Sequence, residues 1–244
     1  IIREQIQAAS NISGLSFTDQ EADDMIGNLE NFREAYAELR EADIPNALSP
    51  AIQFNPLPSG FEISEQHTPA VFKPLEDVRL PENKAELAYF SLRQLAALIQ
   101  SRQISSEELT RFFIDRLKVY DKELHCVISL TEELALEQAR KADKEISQGN
   151  YRGLLHGIPY GAKDLLATKQ YPTTWGAMPY KDQQFAYDAT VIQKLEEAGA
   201  VLVAKLSLGA LAMGDVWYGE RTRNPWNTET GSSGSSAGSA SAVS

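Results

Sequence analysis

Residues 231–244 read GSSGSSAGSASAVS. Composition alone makes such a run a flexible linker or an appended tag, because Gly/Ser-rich tracts stay mobile. A third reading is chemical. Gly234-Ser-Ser-Ala-Gly238 fits G-x-S-x-G, the elbow that presents a nucleophilic serine, here Ser236. That elbow needs a strand leading straight into it, and a histidine later in the chain. What precedes it is Asn224-Pro-Trp-Asn-Thr-Glu-Thr230, which reads as a loop. The three histidines, His67, His125 and His156, all lie upstream. A short motif without its context matches by accident.

Working back from the run, the next chemical candidate is Lys163, in GIPYGAKDLLATKQYPTTWGA, residues 157–177. The ordinary reading of a lysine at a strand end is a surface amine reaching water. The functional reading is a partly buried amine. Burial disfavours the ammonium form, and an uncharged amine can take a proton.

Between and before these stretches the pattern alternates. Leu92, Leu95, Ala96 and Ile99 form one helical face. Ser105-Ser-Glu-Glu108 is a capping box for a helix carrying Leu109, Phe112, Phe113, Leu117 and Tyr120. His125–Leu130 reads as a strand, Glu132–Ser147 as a helix, and Leu155–Ala162 as a buried strand or turn. Thr190–Ala198 reads as a helix, Gly199–Ala204 as a fully buried strand, and Leu206–Met213 as a return to helix. Helices alternating with short apolar strands predict an α/β layer fold. Residues 1–44 predict a separate helical module. Within it Thr18-Asp-Gln-Glu21 is a capping box, and Ala22, Met25, Ile26, Leu29, Phe32, Tyr36 and Leu39 make an apolar stripe. Residues 45–86 form a Pro-rich extended connection, with Pro45, Pro50, Pro56, Pro58, Pro69, Pro74 and Pro81 as breakers. Its apolar residues Ile52, Phe54, Phe61, Ile63, Val71 and Phe72 predict a packed segment. Residues 87–244 form the main domain. The chain starts at Ile1 rather than Met, and ASAVS reads as the middle of a helix. Sequence is therefore expected on both sides, a removed signal peptide among the options upstream.

The totals exclude several classes. In 244 residues, 43% are apolar and 23% charged, which is ordinary globular composition. A formal net charge of −11 argues against nucleic acid and against anionic membranes as partners. No apolar run approaches the ~18–20 residues of a membrane helix. One cysteine, Cys126, forms no internal disulfide and leaves the compartment open between cytoplasmic and exported. Phosphate-loop and dinucleotide motifs are absent, and the histidines and cysteine make no zinc pattern. His156 reads as a core histidine. Trp175, Trp217, Tyr218 and Trp226 either line an acyl pocket or pack in the core.

Taken together, GIPYGAKD (157–164), TTWGA (173–177), GAVLVAKLSLGALAM (199–213), NPWN (224–227) and GSSGSSAGSASAV (231–243) resemble the amidase signature family of serine hydrolases. SLRQLAALIQSRQISSEELTRFFIDRL (91–117) resembles the start of that family's main domain. The resemblance implies a central mixed β-sheet covered by helices on both faces, of which this chain holds the N-terminal part. It implies a Ser–cis-Ser–Lys triad working without metal or cofactor on a small linear amide. The family's lysine matches Lys163. Its GGSSGGS motif falls on Ser233–Ser239, so the bridging serine, which carries the cis bond, matches Ser235. The acylated serine is expected beyond Ser244. Gly234, Ser236 and Ser239 then support the loop, and Trp175 and Met213 are candidates for a substrate pocket. Ser233 and Ala237 stand where the family often has Gly, and Ser207 where it often has Asn. These departures and the N-terminal module point away from the glutamyl-tRNA amidotransferase subunits, which remain the alternative. A catalytically silent, amidase-like interaction domain is the other.

Overall fold

The computed structural model describes residues 1–45, 48–63, 72, 75 and 77–244. His67, Pro69, Val71 and Pro74 lie outside the described residues. The chain divides into two compact units, Ile1–Pro69 and Ala70–Ser244.

The first unit is a helical hairpin, α1 (Arg3–Ile12) and α2 (Asp19–Glu41). Thr18 caps α2: its hydroxyl accepts from the Glu21 N–H, and Glu21 accepts from the Thr18 N–H. Arg3 binds Asp19 at 3.0 Å and forks onto Asp23. Of the apolar stripe on α2, Ala22 is buried, while Phe32, Tyr36 and Leu39 are exposed. The connection departs from expectation. Ile52, Phe54, Phe61 and Ile63 are exposed, as is Phe72 in the second unit. No helix or strand forms over residues 48–63 to give these side chains a common face. Burial begins where Val78, Leu80 and Phe90 pack on the core.

The second unit places α3 (Leu92–Gln100), α4 (Ser106–Leu124), β1 (Val127–Leu130), α5 (Glu132–Ser147), β2 (Pro159–Lys163), α6 (Thr190–Glu197) and β3 (Val201–Leu206) in chain order. The sheet order is β1-β3-β2, with β1–β3 antiparallel and β2–β3 parallel. All six residues of β3 are buried, as a central strand covered on both faces requires. Val201 and Val203 pack on Ile114 of α4 and on Ala135 and Ala139 of α5. Leu202 packs with Ala162 and with Ile192 of α6. Each buried valine, leucine or isoleucine side chain among these contributes about 1.5–3 kcal/mol, and each alanine methyl roughly 0.8 kcal/mol. Local chemistry fixes the ends. Ser105 and Glu108 close the capping box of α4, and Asp143 from α5 accepts from the Ser106 and Glu107 N–H groups at 2.6 and 3.0 Å. His125 takes a left-handed C-cap conformation, and Asp121 accepts from the Cys126 and Val127 N–H groups.

Two segments differ from the sequence expectation. Residues 206–213 are not a helix: β3 runs to Leu206, and only a 3-10 turn forms at Ala210–Ala212, with Leu211 and Ala212 at positive φ. Tertiary partners take the backbone donors that a helix would need. Ser207 N–H donates to Cys126 O, Ala210 N–H to Val216 O and Leu211 N–H to Trp175 O. Residues 224–230 are not a plain loop: β4 (Arg223–Asn224) and β5 (Asn227–Gly231) form a small antiparallel hairpin turning on Pro225-Trp226. After β5 the chain enters α7 (Ala237–Val243). No helix among the described residues is long and apolar enough to cross a membrane.

Candidate active site

Lys163 is the last residue of β2, an edge strand, and pairs with Leu206 of β3. It is half-buried. Its amine lies 2.9 Å from Ser235 Oγ and 3.0 Å from Ser236 Oγ, within hydrogen-bond distance of both. The two serines come from the five residues between β5 and α7, and the Gly234–Ser235 peptide bond is cis. The geometry thus joins residues 72 apart in sequence.

Glycines make this loop possible at two points. A Cβ on Gly234 would overlap the Gly214 carbonyl oxygen. One on Gly238 would overlap the backbone of Cys126 and Ser207, where the Gly238 N–H donates to Ser207 O at 2.9 Å. Neither obstacle is a flexible side chain, so neither can move aside cheaply. Ser239 lies half-buried in the first turn of α7 and makes no side-chain hydrogen bond among the described residues. Ser241 anchors α7 by donating to Arg223 O at 2.8 Å. Ser207 is buried, its hydroxyl 2.6 Å from that of Thr222.

Behind Lys163 lies a buried ion pair. Asp164 and Lys205 are both fully buried, with Nζ 2.8 Å from Oδ1. Lys205 also donates to Thr173 Oγ1 at 2.9 Å, Thr168 Oγ1 at 3.1 Å and Pro172 O at 3.3 Å. Asp164 accepts from the Thr174 N–H at 2.8 Å and its hydroxyl at 2.5 Å. Burial pushes the Lys205 amine below its ordinary pKa, and the Asp164 carboxylate pulls it back up. Lys205 interrupts an apolar run. That was the available signal, since a charge inside a buried strand must find a partner.

Trp175 is half-buried against Tyr180 and Phe185, with ring centroids 5.0 and 6.0 Å away. Its backbone N–H donates to Asp164 O, and its carbonyl accepts from Leu211 N–H at 2.9 Å. Met213 is 76% exposed on the segment that Trp175 holds. The next residue, Gly214, abuts Gly234. Both pocket candidates therefore sit on segments tied to the Lys163–Ser235 pair. Trp226 is 85% exposed at the hairpin turn. Trp217 Nε1 donates to His125 O at 3.2 Å. His156 is fully buried: its Nδ1 accepts from Arg152 N–H, and its Nε2 lies 3.2 Å from Glu145. A cavity of about 450 Å³ lined by Ala97, Gln100, Tyr151 and Leu154 lies along α3 and shares no residue with the serine loop.

This mixed α/β unit, with its lysine-bearing edge strand and glycine-gated serine loop, has the fold of the amidase-signature enzymes. The sequence profile of the Amidase family matches residues 108–244, more than half of the chain, and the chain belongs to that family. Among curated relatives, a glutamyl-tRNA(Gln) amidotransferase subunit of Pseudomonas fluorescens is 42% identical over 157 residues, covering 63% of this chain and 32% of that protein. Its counterpart in Moorella thermoacetica is 39% identical over 161 residues, covering 65% and 33%. Among solved structures, the peptide amidase of Stenotrophomonas maltophilia superposes with a TM-score of 0.58 at 31% identity, covering 62% of this chain and 33% of that one. A bacterial aryl acylamidase superposes with a TM-score of 0.60 at 28% identity, covering 63% and 33%. The chain spans about a third of the length of the relatives it matches.

Proposed function

We propose that the protein containing this chain hydrolyses the carbon–nitrogen bond of a small linear amide through a serine acyl-enzyme. The observation that carries this is the contact of the Lys163 amine with Ser235 Oγ at the cis Gly234–Ser235 peptide. In this mechanism an uncharged Lys163 takes the Ser235 hydroxyl proton. Ser235 takes the proton of a nucleophilic serine C-terminal to Ser244, and that serine attacks the carbonyl carbon. Backbone N–H groups hold the oxyanion. Collapse of the tetrahedral intermediate breaks the C–N bond, and the leaving amine receives the proton back through Ser235. Water then attacks the ester by the same relay, releasing the acid. Trp175 and Met213 are the proposed lining of a substrate pocket, and side chains of this kind suit an apolar or aromatic acyl group.

The two hydroxyls that Lys163 reaches have different roles in this scheme. Ser235→Ala breaks the relay and lowers kcat by about 10³-fold or more. Ser236→Ala removes only a support and costs no more than about 10-fold. Steady-state kinetics on an amide panel separates them, and the reverse order would make Ser236 the reacting serine.

One observation favours a second reading. Relatives 39–42% identical are named as subunits of glutamyl-tRNA(Gln) amidotransferase. Such a subunit works with partners, so amide cleavage by the intact protein appearing only after partner subunits are added would establish it. A panel of amides left uncleaved under both conditions would leave a silent interaction domain.

A further inference from the structure

We infer that Asp215 is a positioning residue that sets the serine loop for the proposed Lys163–Ser235 chemistry, and the inference rests on that reading. Asp215 lies outside every motif that carries the family resemblance. Its carboxylate Oδ2 accepts the Ser233 N–H at 3.2 Å, two residues before Ser235. Ser233 is held there at φ 64, a left-handed conformation unusual for serine, which aims its N–H at that oxygen. Gly231 makes room: a Cβ there would overlap Asp215 Oδ2. The other carboxylate oxygen lies 3.5 Å from Arg221 Nε. The side chain is only 17% exposed, so these contacts are partly shielded from water.

The segment that carries Asp215 is itself fixed. Thr222 N–H donates to Asp215 O at 3.0 Å, Ala210 N–H donates to Val216 O, and Val216 bridges Arg221. Gly214, immediately before, presses its carbonyl against Gly234. One short segment therefore grips the loop at both Ser233 and Gly234. Released at Ser233, the loop keeps its covalent path and its contact at Gly234 but loses the side-chain anchor two residues before Ser235, whose Oγ lies 2.9 Å from Lys163 Nζ. A displacement on the order of 1 Å at a reacting group costs about 10²-fold in rate.

The test uses the intact protein with Asp215→Ala, Asp215→Asn and Gly231→Ala, read by two measurements. The first is amide hydrogen exchange, followed by mass spectrometry over residues 231–240. Asp215→Ala should speed exchange at Ser233 by about 10-fold or more, because its N–H acceptor is gone. Asp215→Asn keeps an oxygen acceptor and should stay close to the parent. Gly231→Ala, which crowds the carboxylate without deleting it, should reproduce the Asp215→Ala effect, and it serves as the test if Asp215→Ala does not fold. The second is kinetics: kcat should fall about 10–100-fold in Asp215→Ala with KM nearly unchanged, and Asp215→Asn should recover most of it. Unchanged exchange in both Asp215→Ala and Gly231→Ala overturns the inference, as does Asp215→Asn behaving like Asp215→Ala. If exchange changes as expected while the parent cleaves no amide, the proposed activity falls and the loop anchor stands.

Discussion

Lys163→Ala in the intact protein abolishes amide hydrolysis, with kcat falling about 10⁴-fold or more, while the urea midpoint moves little. The first half follows from the relay. Removing one member of a nucleophile–base unit costs nearly as much as removing all of it, since the members act together. The second half follows from position. Lys163 is half-buried at the end of an edge strand, and among the described residues its amine bonds only to two hydroxyls, neither of them in the core. Lys163→Arg sharpens the test. A guanidinium keeps the positive charge and the donors but does not deprotonate in a protein. If Lys163 merely braces Ser235 and Ser236, arginine restores much of the activity; if it takes a proton, arginine is as inactive as alanine. Activity retained in Lys163→Ala would end the assignment outright. The comparison is made on purified protein at saturating amide, with urea melts of each variant to confirm folding.

How far the sequence could be read depended on whether the deciding contacts were local. Capping boxes are local. Thr18 with Glu21 and Ser105 with Glu108 lie three residues apart, and both form. The bounds of α5 at Glu132–Ser147 were legible too, because alanines and leucines at helical spacing face a strand core. The run AVLVA announced a strand buried on both faces. The failures are non-local. LSLGALAM has good helix formers, yet its backbone donors bond to Cys126, Trp175 and Val216, residues that no local rule brings near. The hairpin at Arg223–Gly231 has no alternating apolar pattern, because none of its residues is buried. At the site, only ordered motifs could connect Lys163 with a serine 72 residues away. Asp215 escaped notice for the same reason: its partner, Ser233, is 18 residues on and is met through a backbone N–H.

The largest expected effect on stability comes from the pair behind the lysine. Asp164→Asn should lower unfolding free energy by about 3–5 kcal/mol, because it leaves the buried Lys205 ammonium without the carboxylate it contacts. Lys205→Met should cost a similar amount by stranding the Asp164 carboxylate. The double variant, Asp164→Asn with Lys205→Met, should be markedly more stable than the sum of the singles implies. Both charges are then gone, methionine approximates the length of the lysine stem, and asparagine can still accept the Thr174 N–H that Asp164 now takes at 2.8 Å. Two-way additivity would mean that the pair is not coupled, against a separation of 2.8 Å with both side chains fully buried. Urea unfolding of the four proteins measures this, provided that the slopes agree. The kinetic consequence is separable. Asp164 adjoins Lys163, and its carbonyl accepts the Trp175 N–H, so the pair fixes the end of β2 against the loop bearing Trp175. A double variant that regains stability yet stays slow in amide cleavage would show that the ion pair was retained for the placement of Lys163. Recovery of both together would show that packing alone suffices to hold the strand end in place.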